Sequence, residues 1–285
     1  MRDLWRAATT RTEMSEAKRP KTSDGADIFD VKVSDYHEHT REFKKALDSA
    51  LNSPERFQPL SKREERSVIP LETLKKQTKG KYLTVHRGLQ ILQTPEDLLI
   101  YHQMFWHIKP RTVIELGTFA GGSAIWMGDL FKTMELECHC YSVDIDHSLL
   151  SEEALRMKPD NVTFLLGDCN AIEKTLTPKM LSELPHPVII MDDAHVNTFN
   201  NLCYFHPYLQ EGDYVVVEDT SPDMAKSAGG GLCCKYEPIG DNTKFGDLKR
   251  FVAKHEEEYA VDTYFTDFYG YNFLSHWNAI IRRMK

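Results

Sequence analysis

Three short stretches of this chain carry residue types able to do chemistry together. Residues 113–126 read VIELGTFAGGSAIW: an apolar run with an acid, Glu115, then a turn with Gly117, Gly121 and Gly122, and a hydroxyl at Ser123. Such a turn lets backbone close on a ligand. A dinucleotide pyrophosphate asks for G-x-G-x-x-G, and a phosphate loop for Lys-Ser or Lys-Thr after its glycines. Here the spacing is G-x-x-x-G-G with no such pair. Glu115, ahead of the turn, repels phosphate and suits a cationic amino group. Asp144, in the run CYSVDI (140–145), stands where an acid binds a ribose diol in nucleotide folds.

The other two stretches are MDDAHVNTFN (191–200) and VVVEDT (215–220). If the runs leading into them are sheet neighbours, about 4.8 Å apart, Asp192 converges with Glu218 and Asp219. Three carboxylates so close repel, so either one is protonated or a cation lies between them; hard divalent ions such as Mg²⁺ favour all-oxygen sites. The alternative is structural, with Asp193 and Asp219 capping the loops that follow. His195, in the first of these loops, has a ring of ordinary pKa about 6.5, able to take a hydroxyl proton at neutral pH. Asp146, His147 and His206 read as surface or capping residues.

These groups need a scaffold that brings strand ends together. Beyond Pro110 short β-rich runs alternate with helical stretches: TVIEL (112–116), CYSVDI (140–145), VTFLL (162–166), PVIIMD (187–192), YVVVED (214–219), AVDTYF (260–265) and NAIIRRM (278–284). The first five are near-continuous apolar runs, as expected of strands covered by helices on both faces. The pattern predicts an α/β fold: a doubly wound, mostly parallel, seven-stranded Rossmann-like sheet. The last two runs leave no room for a crossover helix, so the C-terminal strand is antiparallel. Ligands of such sheets bind beyond the carboxyl ends of the strands, where the acids lie.

Upstream, Thr94-Pro95-Glu96-Asp97 reads as a helix start, with Thr as N-cap and acids in the first turn, and Lys109-Pro110 ends that helix. Residues 36–51 have helical spacing, whereas residues 1–30 are too polar to offset their ordering entropy. The expected organisation is a disordered tail (1–30), an N-terminal helical region (31–109) and a ligand-binding domain (110–285). SAGGGLCCKY (227–236) reads as a candidate lid, and the aromatics of residues 263–277 as packing for the final hairpin.

Composition narrows the function classes. A net charge of -8 with no sustained basic stripe argues against a nucleic-acid partner. No apolar run reaches membrane length, and no signal peptide is recognisable, so a cytoplasmic protein is expected. The six cysteines lack paired zinc spacing and read as reduced thiols. A small molecule is the expected partner.

The pattern E-x-G-x-x-x-G-x-S, an acid after the second strand and Gly167-Asp168 after the third resemble class I S-adenosylmethionine-dependent methyltransferases. The resemblance implies that Gly117, Thr118 and Gly121 approach the methionine part, held by Glu115 and Ser123. It implies that Asp144 takes the ribose hydroxyls, that Asp168 and Cys169 border the adenine, and that Asp192 touches the cofactor. HRGLQILQTPED (86–97), IELGTFAGGSAIWMGDL, VDID, DDAHVNTF and LQEGDYVVVEDT together are similar to the cephalosporin hydroxylase and rhamnosyl O-methyltransferase family, more distantly to catechol O-methyltransferases. This similarity covers about residues 80 to 285, with His86 where the family often has Trp. It implies a Mg²⁺ site at Asp192, Glu218 and Asp219, and His195 as base where catechol O-methyltransferases place a lysine. The expected activity is Mg²⁺-dependent O-methylation of a small hydroxylated acceptor (diol, catechol or sugar), and homo-oligomers are common in such families. Its rivals are metal-independent N-methylation of an amine and a non-catalytic cofactor-binding or assembly protein. Nicotinamide-dependent dehydrogenation fails on the glycine spacing.

Overall fold

The computed structural model describes residues 33–221 and 243–285. The expected tail and lid, residues 1–30 and 227–236, lie outside them. The chain divides into two compact units, one ending at Asn52 and one from Ser53 to Lys285. The first contributes a single described helix, α1 (Val33–Leu51).

In the second unit an eight-stranded sheet replaces the expected seven. Its strands are β1 (Phe57–Gln58), β4 (Thr112–Leu116), β5 (His139–Asp144), β6 (Val162–Leu166), β7 (Val188–Asp192), β8 (Tyr214–Val217), β9 (Tyr259–Asp262) and β10 (Ile280–Arg283). A small hairpin, β2 (Val85–His86) with β3 (Leu89–Gln90), stands apart. The spatial order is β1-β9-β10-β8-β7-β4-β5-β6. The block β8-β7-β4-β5-β6 is parallel, and β10 lies antiparallel between β8 and β9. The additional strand, β1, is two residues long and pairs antiparallel with β9 at the edge, too short to leave an apolar pattern.

Alternation along the strands sorts the core into two layers. Val113, Ile189, Met191, Val216 and Ile280 face one side; Ile114, Leu116, Val188, Ile190, Val215 and Val217 face the other. The first side is covered by α3 (Pro95–Ile108) and α4 (Gly122–Thr133). In α3 the residues Ile100, Tyr101, Met104 and Phe105 repeat at helical spacing, which turns one stripe to the sheet. Thr94 and Asp97 form a reciprocal capping box at its start, and Lys109 ends it in a left-handed conformation. The second side is covered by α7 (Thr198–Phe205) and α8 (Thr243–Lys254), with the short α6 (Pro178–Ser182) beside them, whereas α5 (Glu152–Met157) packs on α4 through Ala154 and Ile125.

Residues 53–109 belong with the sheet rather than forming a helical region of their own. Buried charge pairs tie them there. Arg56 donates to both oxygens of Asp262, and Arg63 bridges Asp267 in bidentate fashion while its Nε donates to Asn278. Planar guanidinium forks make such pairs directional.

The start of α4 is pressed against the hairpin. A Cβ on Gly122 would lie 2.0 Å from the Gln90 carbonyl oxygen, which is backbone and has no rotamer to change. Gly122→Ala is therefore expected to destabilise the fold by about 1–3 kcal/mol, as overpacking does. Thermal unfolding checks this; an unchanged Tm would mean that the hairpin yields freely.

Candidate active site

Glu115, Asp144, Asp168, Asp192 and Glu218 lie at or just past the carboxyl ends of the five parallel strands, as the sequence predicts. The glycine turn follows β4. Gly117 has φ +107, and a Cβ there would come within 3.2 Å of the Asp193 carbonyl carbon and 3.3 Å of the Ala194 nitrogen. The Asp193 amide donates to the Leu116 carbonyl at 2.9 Å, locking the two strand ends together. The glycine thus removes the atom that would hold the turn away from the β7 loop. Gly121, at φ +79, is the N-cap of α4.

Glu115 faces α4 and is buried. The Ser142 hydroxyl donates to it, and the Thr118 and Ser142 hydroxyls pair at 2.7 Å. Burial pushes the Glu115 carboxyl up to about 8, with Asp193 and Glu218 adding to the rise and the Ser123 and Ser142 hydrogen bonds opposing it. Such a carboxyl is primed to ionise when a cationic partner arrives. One turn further round, the Asp144 carboxylate accepts from the Phe119 and Asp146 amides at 2.9 and 3.2 Å. Each of its oxygens has a second lone pair to offer. Asp168 accepts from the Asn170 amide at 2.8 Å and caps the short 3₁₀ turn that begins at Cys169. The Cys169 thiol is pushed up to about 12 by burial, then by Asp192, Asp144 and Asp168, which makes it unreactive. Exposed Ile145 and Leu166 extend the Asp144 end as an apolar rim, a feature that sequence reading missed.

The acids of β7 and β8 do not meet in the predicted set. Asp192 is the register partner of Val217, so the two share a face, and Glu218 falls on the opposite one. Asp192 points to the α7 and α8 side and is fully buried. Neither of its oxygens makes a well-formed hydrogen bond among the described residues. Burial pushes its carboxyl up to about 6, against the Lys244 ammonium and the Thr198 hydroxyl, which favour its charge. The Lys244 Nζ donates to the Asp192 carbonyl at 3.0 Å.

On the other face Asp193 replaces it. Ligand atoms of Asp193, His195 and Asp219 all lie within 4.8 Å of one another. Burial, then Glu218, push Asp193 up to about 7. Asp219 adopts φ +55, a left-handed conformation that costs a non-glycine residue energy and turns its carboxylate into the cluster. Burial would raise Asp219 too, but Lys81, Lys244 and His195 hold it well below the usual carboxylate range. Lys81, the last residue of α2 (Leu71–Lys81), places its Nζ 3.2 and 3.4 Å from the two Asp219 oxygens. His195 Nε2 is 4.0 Å from Asp219 Oδ2, with the imidazole 64% exposed. Partial desolvation and then Lys244 lower its pKa, while Asp193 and Asp219 raise it; water at the exposed ring screens both.

Glu218 is clamped from behind. Gln93 Nε2 donates to one oxygen and the Tyr101 hydroxyl to the other, each at 2.7 Å. Tyr101 also meets His276 Nε2 at 3.2 Å, and that nitrogen is 3.1 Å from Asp97 Oδ1. Burial opposes the His276 charge, but Asp97 raises its pKa to about 9. Lys81, Tyr101, Lys244 and His276 are the site residues that the sequence pattern left unmarked, whereas Gln93 and Asp97 lie in the HRGLQILQTPED stretch that carries the family resemblance. One signal was present: Asp97 and Tyr101 place polar groups on the apolar stripe of α3, where only a satisfied network is tolerated.

With this geometry fixed, a family model described as rhamnosyl O-methyltransferase/CmcI matches residues 78–283. The chain belongs to that family. Among curated relatives, the rhamnosyl O-methyltransferases of Mycobacterium tuberculosis (strain ATCC 25618 / H37Rv) and Mycobacterium leprae (strain TN) are 26% and 28% identical over 141 and 143 residues. Each match takes in 48% of this chain, and 57% and 61% of the relative, so the similarity spans about three fifths of their length. A CmcI structure with Mg and SAM is similar at TM-score 0.56 and 26% identity, covering 86% of this chain and 100% of that one. An apo-structure of CmcI gives TM-score 0.55 at 27% identity, over 85% and 95% of the two chains. The family match begins just before Lys81 and takes in both the glycine turn and the acid cluster. Among the described residues no helix is long and apolar enough to cross a membrane.

Proposed function

We propose that the protein is an S-adenosylmethionine-dependent O-methyltransferase acting on a small acceptor with adjacent hydroxyls, such as a sugar, another diol or a catechol, with Mg²⁺ as its metal. The observation that carries this reading is the contact of Gly117 with the Asp193 backbone, which brings the turn for the methyl donor against the acid cluster for the acceptor. Family membership and the Mg and SAM of the CmcI structure support it.

The donor set fits the cofactor. Glu115 receives the amino group of the methionine part, whose positive charge offsets the cost of ionising a buried carboxyl, and Ser123 holds that carboxyl in place. Gly117, Thr118 and Gly121 admit the chain beside them, Asp144 takes the ribose diol, and Asp168, Cys169, Ile145 and Leu166 border the adenine. The buried carboxylates fit a hard cation: Asp193 and Asp219 offer oxygens on one face, with Glu218 beside them. This set takes Asp193 in place of Asp192, which the register turns away. When bound, Mg²⁺ acts as a Lewis acid that lowers the pKa of an acceptor hydroxyl.

His195 is the proton acceptor. Its lowered pKa leaves the ring neutral at pH 7, its exposed face can pass the proton to water, and Asp219 stabilises the imidazolium that forms. As the acceptor oxygen bonds to the methyl carbon, the carbon–sulfur bond breaks and the hydroxyl proton moves to His195. Aligning these partners supplies most of the rate. His195→Ala is expected to lower kcat about 100-fold with cofactor affinity unchanged; a variant at wild-type rate removes the base assignment.

One observation favours the metal-independent rival: the Lys81 ammonium already neutralises Asp219. Turnover on a panel of diols, catechols and amines, with and without EDTA, separates the two. Activity on diols abolished by EDTA and restored by Mg²⁺ supports the proposal, and chelator-resistant methylation of an amine refutes it.

A further inference from the structure

Lys81 is a buried ammonium placed on the carboxylates that a divalent ion would use. Both Asp219 oxygens are within its hydrogen-bond reach, and the two side chains are each 13% exposed. Asp193, Glu218 and Asp97 add to the negative field that keeps it charged. The position is built rather than incidental. Lys81 closes α2, whose negative C-terminal dipole end favours a cation. The next residue, Tyr82, is tied by its carbonyl to Gln90 Nε2 at 3.0 Å, and the Thr84 carbonyl accepts from the Ile91 amide at 3.1 Å. Gln90 is the residue whose carbonyl abuts Gly122 at the start of α4. The lysine is therefore anchored through the hairpin to the same helix that opens from the glycine turn.

The geometry points to Lys81 as a built-in competitor for the divalent cation: its ammonium holds the place on Asp219, and a metal ion enters by displacing it. The inference rests on the metal reading above, in which Asp193, Glu218 and Asp219 are the ligands. A small dication approaching these oxygens meets a like charge at hydrogen-bond distance from both Asp219 oxygens, and like charges in a partly desolvated site repel strongly. Metal affinity in this chain is thus set by a residue that is not a ligand, and metal loading frees Lys81 from Asp219 toward the acceptor side of the cluster.

The test is Mn²⁺ binding to the full chain, read by calorimetry and by the loss of the free-ion electron paramagnetic resonance signal, in wild type, Lys81→Met, Lys81→Gln and Lys81→Arg. The expected result is Mn²⁺ binding at least tenfold tighter in both neutral variants and close to wild type in Lys81→Arg, which keeps the charge. The neutral variants leave Asp219 without this partner, so Mn²⁺ should also raise their Tm more than that of wild type. Circular dichroism confirms that at least one of the two is folded. If wild type binds Mn²⁺ and the folded neutral variants bind it equally or more weakly, the competitor role is overturned and the metal reading stands. If wild type is silent and the neutral variants bind, Lys81 is the competitor and the resident-metal reading fails. If none binds, both are overturned.

Discussion

Asp219→Asn is expected to lower kcat/KM for the hydroxylated acceptor about 1000-fold, the scale of losing a Lewis-acid contribution of several kcal/mol. Asparagine preserves shape but removes the charge that faces both Lys81 and His195. It also tolerates the left-handed φ of +55 at this position, so the backbone turn should survive. The loss should therefore appear in the chemical step and in metal affinity, while S-adenosylmethionine affinity stays within about threefold of wild type. Steady-state kinetics with parallel cofactor titration check this. A loss below about fivefold would show that Asp219 serves the loop conformation and not the reaction.

Asp97→Asn is expected to cost about 3–5 kcal/mol of stability, because it strands the His276 charge in the interior. Both side chains are almost fully buried, and His276 is stacked on Tyr101 with ring centroids 5.7 Å apart, leaving no route to solvent. The pair also predicts a pH dependence. His276 is raised from 6.5 to about 9 in the fold, so its contribution is fully present below pH 6.5 and is lost as pH rises through about 9. Burial opposes the Asp97 charge, but His276 holds its carboxyl below its ordinary value of 3.8, so that contribution is present above pH 3.8 and is lost as pH falls through the depressed value. The stability gap between wild type and Asp97→Asn is thus widest from about pH 4 to 6.5 and closes by roughly 3 kcal/mol on the alkaline side. Chemical denaturation at pH 6 and pH 9.5 measures it; an equal gap at both would mean that His276 is neutral in the fold. Tyr101 and Ser275 touch His276 directly, and Glu218 and Asp219 lie within electrostatic reach, so the same variant should loosen the clamp on Glu218 and reduce turnover.

The scaffold was legible because its signals are strong and local. Five apolar runs became β4 to β8 with ends shifted by one or two residues at most, and Thr94-Pro95 opened α3 with the expected cap. The antiparallel insertion of β10 beside β9 followed from the short connection between them. What failed was register. The VIIMDD run identifies β7, but whether Asp192 or Asp193 faces the cluster depends on a one-residue count, and each step flips the side chain to the other face. The counting rule needs a partner, and Val217 opposite Asp192 becomes visible only once β8 is docked. Lys81 was illegible for a related reason. In QTKGKY a lysine reads as a solvated helix end, and only the docking of α2 beside the β8 loop turns it into a buried counter-ion. Arg56 and Arg63 likewise give no local sign of their partners some 200 residues away, although these contacts tie residues 53–109 into the same compact unit as the sheet.

The proposed function requires that the turn after β4 bind S-adenosylmethionine against the Asp193 loop. Calorimetric titration of S-adenosylmethionine into the full chain tests it most directly, with Gly117→Val as the paired variant because a valine side chain there would collide with the Asp193 backbone. One-to-one binding with a micromolar Kd is expected, lost in a Gly117→Val protein that still unfolds cooperatively. No heat of binding up to high micromolar cofactor in the wild-type protein would contradict it.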